Sequence, residues 1–456
     1  MKKLKIVTIG GGSSYTPELI EGFINRQDQL NIGEIWLVDI EDGKEKLEIV
    51  GEMAKRMVKA AGLDWQVHLT LDRREALKDA DFVTTQFRVG LLDARIRDER
   101  IPYKYGMIGQ ETNGAGGIFK ALRTIPVILG IIKDMEELCP NAWLVNFTNP
   151  AGMVTEAAIK VGGWKKTVGL CNVPIGSYKM NHKVMNNEDE TLYHKYAGLN
   201  HFHWHRVWDK DGVEVTDQII EKVFNLEEGA EAIAEVANIQ KIPFTYEQIK
   251  SLGMLPCGYH RYYYITDLMF ESGLEDYKKN QTRAEVVKQT EKELFELYKD
   301  PALDYKPEQL TKRGGTHYSD AACELICSIV NDKKTVMVVS TQNKGTIDDL
   351  PYDSIVEVTS YITAHGPEPL NWGSFGPEAR GMLQLMKSME ELVIKAAVTG
   401  DYNTALQAFT INPLVTSGKI AKELLDEMLV ANKHYLPQFA SKIAELEAKG
   451  VTYIPS

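Results

Sequence analysis

Two residues with metal-ligand chemistry stand at or near the ends of predicted strands. Cys171 follows an apolar run in GLCNVPIG (169–176), and His201 lies in GLNHFHWHRV (198–207). A thiolate and an imidazole together suit zinc, manganese or iron, with coordination positions left for other oxygens. A cysteine is also often a small buried residue, and the long spacing between this pair is no metal signature. The residues alone therefore leave both interpretations of Cys171 open.

The histidines of the second segment alternate with other residues. His201, His203 and His205 are two positions apart, so the predicted strand places all three on one face. Three neutral histidines are not by themselves a metal site, and two of them are equally compatible with a surface position. The residues alone therefore leave metal binding by these histidines open.

A tyrosine-rich segment offers a base. In LPCGYHRYYYITD (255–267), Tyr259 lies close to Arg261, and a phenol near a cation and a metal can act as a phenolate base. The alternative is an aromatic core segment. A supply of arginines for binding phosphate is also present, although most arginines are surface or ion-paired residues; these are Arg88, Arg95, Arg97, Arg100, Arg283 and Arg313.

The elements that must position these residues alternate in the first third of the chain. Strands are predicted at 4–10, 34–40, 81–87, 142–148 and 166–171, and helices at 17–25, 44–61 and 118–138. This order predicts an α/β fold with a Rossmann-like, doubly wound parallel sheet over residues 1–195. Residues 196–456 read as a mixed α+β, largely helical C-terminal domain. Its predicted elements are strands near 213–219 and 335–341 and helices at 378–400 and 417–449.

The loop GGGSSYTPEL (10–19) joins the first strand to the first helix. Its glycines allow a pyrophosphate to approach the backbone, and the helix N-terminus supplies free N–H groups. Tyr15 replaces the third glycine of the usual pattern, and Asp39 ends the second strand where an acid binds an NAD ribose. The order indicates dinucleotide binding; the alternative is a tight glycine turn in a protein that has lost its cofactor.

Two further loops fall on the same predicted sheet edge. IGQETNGAGGIF (108–119) is polar and then glycine-rich ahead of a helix, and suits the nicotinamide end of a cofactor. NFTNPAG (146–152) ends a strand with Asn149. Ligands of such sheets bind at the carboxyl ends of the strands.

Composition excludes several partners. The net charge is -12 and the sequence pI is about 5.5, which argues against nucleic-acid and anionic-membrane surfaces. The five cysteines have no framework spacing, which favours a reducing compartment, and Cys323 and Cys327 are expected to be buried on a helix. No apolar run is expected to span a bilayer and no signal peptide is recognised, so we expect a cytoplasmic protein.

Six segments occur in a specific order: IGGGSSYTPEL, GQETNGAGG, VNFTNPAG, GLCNVP, GLNH and YHRYY. In this order and spacing the chain resembles glycoside hydrolase family 4, from about residue 4 to at least residue 440. Family members that act on phosphorylated β-glucosides resemble this chain in carrying Asn after the cysteine, here Asn172. Those that act on 6-phospho-α-glucosides typically carry Asp at that position.

The resemblance implies a role for each matched residue. It implies Cys171 and His201 as ligands of a divalent metal, usually manganese, and Tyr259 as the catalytic base. The implied NAD-site residues are Gly10, Gly12, Ser13, Ser14, Asp39 and Asn113. The implied substrate contacts are Arg95, Asn149, Asn172 and Arg283.

The resemblance also implies the reaction and its partners. NAD takes a hydride from carbon 3, Tyr259 removes the acidified proton on carbon 2, and the metal stabilises the enediolate. Elimination, water addition and return of the hydride then complete hydrolysis of a 6-phospho-β-glucoside such as cellobiose 6-phosphate, without two catalytic carboxylates. No group that protonates the leaving oxygen is evident. A homodimer or homotetramer is expected, with the C-terminal helices as the interface.

Three alternatives remain at this point. A 6-phospho-α-glucosidase or α-galactosidase of the same family ranks lower because of Asn172. An NAD-dependent dehydrogenase of 2-hydroxy acids would need neither Cys171 nor His201 and would accumulate NADH. A non-catalytic NAD-sensing protein would bind NAD without turnover.

Overall fold

The computed structural model describes residues 2–185, 191–224, 239, 242–314 and 318–455. Its strands in chain order, β1–β12, are Leu4–Ile9, Ile32–Val38, Gln66–Thr70, Phe82–Thr85, Trp143–Asn146, Thr167–Gly169, Tyr193–Leu199, Phe202–Trp208, Leu255–Pro256, Thr335–Gln342, Ile355–Thr363 and Gly366–Pro369. They form a nine-stranded sheet and a three-stranded sheet.

The large sheet has the order β12-β11-β10-β6-β5-β4-β1-β2-β3. Its six strands β1–β6 are parallel and follow the doubly wound order 3-2-1-4-5-6. Strands β10–β12 continue it as antiparallel neighbours, with Ser340 opposite Gly169 of β6. The predicted α/β class with a Rossmann-like sheet is therefore confirmed. The sheet extends across the predicted boundary between residues 195 and 196, and that boundary stays a prediction.

Seventeen α-helices lie within the described ranges. In chain order, α1–α17 are Thr16–Ile24, Lys44–Ala60, Arg73–Leu77, Leu91–Lys104, Gly114–Leu138, Ala151–Glu156, Val173–Val184, Thr216–Phe224, Tyr246–Leu252, Arg261–Tyr264, Thr266–Lys278, Arg283–Tyr298, Tyr318–Asn331, Pro377–Thr399, Tyr402–Ile411, Gly418–Ala431 and Ala440–Ala448. The C-terminal part is largely helical, as expected. Helices α1 and α7 each have a proline in the first turn, where its missing N–H costs no hydrogen bond.

Helix α5 is longer and more apolar than the sequence reading allowed. By length and composition this helix could cross a membrane, which contradicts the expectation that no apolar run is long enough. In the structure, 78% of its most apolar 18-residue window is buried inside the protein. It packs in the largest core cluster, where Ile118, Phe119, Leu122 and Ile125 are at most 1% exposed. Charged Lys120 and Arg123 share this buried helix.

Two predicted elements differ from the structure. The segment 213–219 was expected to be a strand, but α8 begins at Thr216 because Val215, Ile219 and Val223 recur at helical spacing and are buried together. The helix expected over 417–449 is two helices, α16 and α17. Short turns at Lys433–Tyr435 and Pro437–Phe439 separate them, and Pro437 cannot donate the backbone hydrogen bond that a continuous helix needs.

Candidate active site

A cavity of about 740 Å³ lies at the carboxyl ends of the parallel strands. Residues that follow β1, β2, β4, β5 and β6 all contribute to its walls. Of the predicted site residues, nine line it: Gly10, Gly12, Ser13, Asp39, Asn149, Cys171, Asn172, His201 and Tyr259. One cavity therefore brings together the predicted dinucleotide loop, the metal-ligand pair and the base.

The glycine loop presents its backbone to this cavity. Gly10 has a φ of +86°, and a Cβ at this position would lie 2.7 Å from the backbone nitrogen of Phe87. The Gly12 N–H donates to Asp39 Oδ2 at 2.9 Å, and the Ile40 N–H donates to Asp39 Oδ1 at 2.9 Å. Burial raises the pKa of Asp39, while these two donors oppose the shift. The close backbone approach and the fixed acid fit the pyrophosphate and ribose of NAD.

Ser14 and Tyr15 point in different directions from this loop. Ser14 is buried behind the cavity wall, where its hydroxyl donates to Oε2 of the lining residue Glu291 at 3.4 Å. Tyr15 lines the cavity in place of the third glycine, and the Arg313 guanidinium lies 5.0 Å from the centre of its ring. The tyrosine thus joins the loop to a cation from the second half of the chain.

Cys171 and His201 lie side by side in the cavity wall opposite the glycine loop. Cys171 Sγ and His201 Nε2 are 3.4 Å apart, and the other ring nitrogen, Nδ1, lies 3.2 Å from Thr112 Oγ1. Burial lowers the pKa of His201 to about 4, so the ring is neutral at pH 7 and can bind a metal. Burial raises the pKa of the Cys171 thiol, a cost that a bound cation would offset.

Cys171 and His201 can hold a divalent metal only together with further ligands. Within the described ranges, no three or more His, Cys, Asp or Glu side chains are arranged to hold a metal ion. Two protein ligands at a cavity wall leave positions for the oxygens of a bound molecule, as a catalytic rather than a structural site requires.

The three histidines do not share one strand face, contrary to the prediction. His201 lies in the turn between β7 and β8 with a φ of +61°, and only His203 and His205 lie on β8. His203 Nδ1 is 2.9 Å from Glu357 Oε1, and His205 Nε2 is 3.0 Å from Asn181 Nδ2. The turn conformation, which period-two reasoning does not detect, directs His201 alone to Cys171.

Tyr259 lies in the short turn Gly258–His260, with its ring stacked on His201. The ring centroids are 4.0 Å apart and the planes meet at 13°. Burial raises the pKa of Tyr259 well above its usual value. Arg261 does not meet the phenol; its Nε donates to the Ile242 carbonyl at 2.6 Å and its Nη1 to the Gly258 carbonyl at 3.3 Å. It therefore anchors the turn that carries Tyr259.

Arg95, Arg283 and Asn113 lie outside the cavity wall. Arg95 is 1% exposed and forms ion pairs with Glu99 at 2.7 Å and Glu111 at 3.2 Å. Arg283 Nη2 donates to the Arg313 carbonyl at 3.1 Å. Asn113 Oδ1 accepts from the Tyr263 hydroxyl at 3.2 Å. In this structure these residues brace the wall, and their predicted contacts with phosphate and NAD stay predictions.

Sequence reasoning missed two charged residues of the wall, Glu111 and Lys120. Both are less than 5% exposed, and Lys120 Nζ donates to Glu111 Oε2 at 2.8 Å. Arg88, counted before only as one of several arginines, binds the same carboxylate oxygen at 2.5 Å. The available signal was a lysine within the apolar run IFKAL, since lysine is seldom buried without a partner.

The cysteines expected to be inert occupy a different region. Cys323 and Cys327 are 0% exposed on α13 in the second core cluster, as predicted, and all five cysteines are free thiols. Cys171 is thus distinguished by its position at the cavity.

Family models and known proteins match nearly the whole chain. The model described as family 4 glycosyl hydrolase matches residues 5–187, and that of the family's C-terminal domain matches residues 196–415. A probable 6-phospho-beta-glucosidase of Bacillus subtilis is 58% identical over 97% of this chain and 99% of its own length. A 6-phospho-beta-glucosidase of Escherichia coli is 48% identical, over 98% and 99%.

A solved structure is similar over the same extent. The 6-phospho-beta glucosidase from Thermotoga maritima, solved with manganese, NAD+ and glucose-6-phosphate, has a TM-score of 0.85 and is 35% identical, covering 95% of this chain and 99% of that one.

Proposed function

The chain belongs to family 4 of the glycosyl hydrolases, and from this premise we propose that it hydrolyses 6-phospho-β-glucosides with the help of NAD and a divalent metal. The observation that carries the proposal is one cavity in which the Cys171–His201 pair, the stacked Tyr259 ring and the glycine loop meet. A 2-hydroxy acid dehydrogenase would need the loop and an arginine–histidine–aspartate arrangement, but neither Cys171 nor His201. A hydrolase with two catalytic carboxylates would need neither the loop nor the thiol.

Cys171 and His201 hold the metal in this proposal, manganese by analogy with the Thermotoga relative, and the glycine loop with Asp39 holds NAD. When bound, NAD supplies reversible oxidation of the sugar, and the metal supplies positive charge that stabilises the anion formed beside the oxidised carbon.

Tyr259 removes the proton on carbon 2. Its burial disfavours the phenolate, so the base needs a nearby positive charge, and its ring lies 4.0 Å from that of the proposed ligand His201. Loss of the carbon 2 proton then drives elimination of the group on carbon 1. Asn149 and Asn172 line the cavity and supply amide groups for sugar hydroxyls, but neither can protonate the leaving oxygen.

The charges of the wall suit a phosphorylated sugar. Glu111 is shared by Arg88 and Lys120, and Glu291 by Lys46 and Arg313, so each carboxylate meets two cations that line the cavity. These groups form local positive charge in a chain of net charge -12. We place the phosphate beside Arg88, Lys46 and Arg313, with Arg95 and Arg283 behind them.

The choice of the β-anomer rests on the two relatives above and on Asn172. The finer assignments belong to the same proposal: cytoplasmic localisation, supported by five free thiols, and a homodimer or homotetramer. A cytoplasmic enzyme would meet sugars phosphorylated during uptake.

The test is hydrolysis of p-nitrophenyl β-glucoside 6-phosphate by dialysed protein. NAD, Mn²⁺ and a reductant are restored singly and together, with the unphosphorylated glucoside and the 6-phospho-α-anomer as controls. We expect turnover only with NAD and Mn²⁺ together, only on the phosphorylated β-anomer, and without net NADH. Turnover of the α-anomer would contradict the use of Asn172. NADH accumulation without hydrolysis would indicate a dehydrogenase.

A further inference from the structure

Lys120 is a buried amine at the cavity wall that the mechanism above does not use. It lies in the second turn of α5, is 3% exposed and borders the cavity. Its Nζ donates to Glu111 Oε2 at 2.8 Å. Lysine is almost never fully buried unless it is paired, and buried lysines readily act as bases.

The charges around Lys120 leave it as the surplus cation. Arg88 and Arg95 bind Glu111 at 2.5 and 3.2 Å, and Arg95 also binds Glu99 at 2.7 Å. Two guanidiniums, which stay protonated, thus already balance two carboxylates. Burial and then the charge of Arg88 lower the pKa of Lys120 to about 7, although Glu111 opposes the shift. The amine is therefore available in both protonation states near neutral pH.

Glu111 holds the Lys120 amine between the dinucleotide-loop side of the cavity and the side that carries Cys171 and His201. On one side, Arg88 follows Phe87, whose backbone nitrogen lies against the Gly10 turn of the dinucleotide loop. On the other side, Thr112 follows Glu111 in the chain, and its Oγ1 lies 3.2 Å from His201 Nδ1. A sugar carbon that passes a hydride to NAD while its oxygen faces the metal ligands must sit between the same two sides.

We propose that Lys120 is the acid–base group for the hydroxyl on the sugar carbon that is oxidised. The proposal rests on the proposed function. In the oxidation, the neutral amine accepts the hydroxyl proton while the electron pair of the C–H bond passes to NAD, and the C–O bond becomes a carbonyl. In the closing reduction the hydride returns to carbon, and the Lys120 ammonium gives the proton back to oxygen, so no further reactant is needed.

Two variants separate this role from ion pairing. Lys120→Arg keeps the positive charge toward Glu111 but cannot become neutral, and Lys120→Met removes both charge and base. We expect each to lower kcat/KM by about 100-fold or more, as loss of a general acid–base group does, with NAD affinity unchanged. Near wild-type turnover by Lys120→Arg would show a structural or electrostatic role and overturn the proposal.

Isotope effects identify the step. With substrate deuterated at carbon 3, the isotope effect on kcat/KM should rise in Lys120→Arg, because hydride transfer becomes slower. With substrate deuterated at carbon 2, the isotope effect on kcat/KM should fall toward unity in Lys120→Arg, because proton removal no longer limits the rate. Loss of activity that instead depends on the pKa of the aryl leaving group would place Lys120 at the glycosidic oxygen and also overturn the proposal.

A measurement without cofactor, metal or turnover tests the amine itself. In protein labelled with ¹³C at the lysine ε-carbons, the resonance absent from Lys120→Arg belongs to Lys120. We expect it to titrate near neutral pH, and an ammonium retained to pH 10 would overturn the proposal even if Lys120→Met fails to fold. Wild-type protein that shows no NAD- and Mn²⁺-dependent hydrolysis would instead contradict the proposed function.

Discussion

The loop between β1 and α1 builds its side of the cavity largely from backbone, within one short stretch of chain. Gly10 and Gly12 are held there by strand and turn geometry, and Asp39 fixes the second turn by accepting the Gly12 N–H. The opposite side is made of side chains from three distant segments, Cys171, His201 and Tyr259. Backbone sites are encoded locally, whereas this constellation exists only after the two halves of the chain have folded together.

The comparison predicts that substitutions on the metal-ligand side of the cavity impair hydrolysis without impairing NAD binding. Cys171→Ser or His201→Ala should lower metal-dependent hydrolysis by about 1000-fold, because the loss of bound metal removes several kcal/mol of transition-state stabilisation. NAD binding, measured by fluorescence titration, should remain within about threefold of wild type, well below the tenfold that 1.4 kcal/mol represents. Loss of NAD binding in the same variants would show that the sides are one site.

A glycine substitution tests the other side. A Cβ on Gly12 would lie 2.8 Å from Asp39 Oδ2 and 2.9 Å from the Leu47 nitrogen. We expect Gly12→Ala to weaken NAD binding by about 5–150-fold, the range that 1–3 kcal/mol of overpacking gives, with turnover restored at saturating NAD. Gly381→Ala is the control, because its added methyl meets open space. Equal effects in both variants would contradict the backbone argument.

The smallest effect concerns a cysteine far from either side. Cys323→Ala removes a sulfur packed in the second core cluster, so we expect a loss of about 1 kcal/mol in urea unfolding. Hydrolysis and its Mn²⁺ dependence should match wild type. A changed metal dependence in this variant would mean that Cys171 is not the thiol that matters.

The sequence predicted the locally encoded parts of the molecule best. Five parallel strands, their crossover helices and the glycine loop follow from apolar periodicity and turn residues. Strand β3 was missed, although the edge segment Gln66–Thr70 alternates polar and apolar residues as a half-buried strand does. For the site, the family resemblance supplied Cys171 and His201 as partners; their side chains are in contact, and their role as metal ligands stays a prediction.

The features that the sequence did not predict have a common physical cause, because each depends on tertiary contacts. His201 left the predicted strand because the turn before β8 adopts a positive φ. Arg95 lies behind the wall because Glu99 and Glu111 bind it there. Lys120 reached the wall because residues 114–125 of α5 are all buried and its amine pairs with Glu111 at the cavity. The residue pattern of a single segment cannot predict these positions.

The antiparallel extension of the large sheet bears on how the protein can be divided for expression or engineering. Strand β6 would become an edge strand in a fragment that ends at residue 195, because β10 covers it in the intact chain. Its backbone donors and acceptors would then be open to pairing with other molecules, a recognised route to aggregation. The two segments matched by the family models are therefore better swapped between relatives as a joined pair than produced as separate proteins.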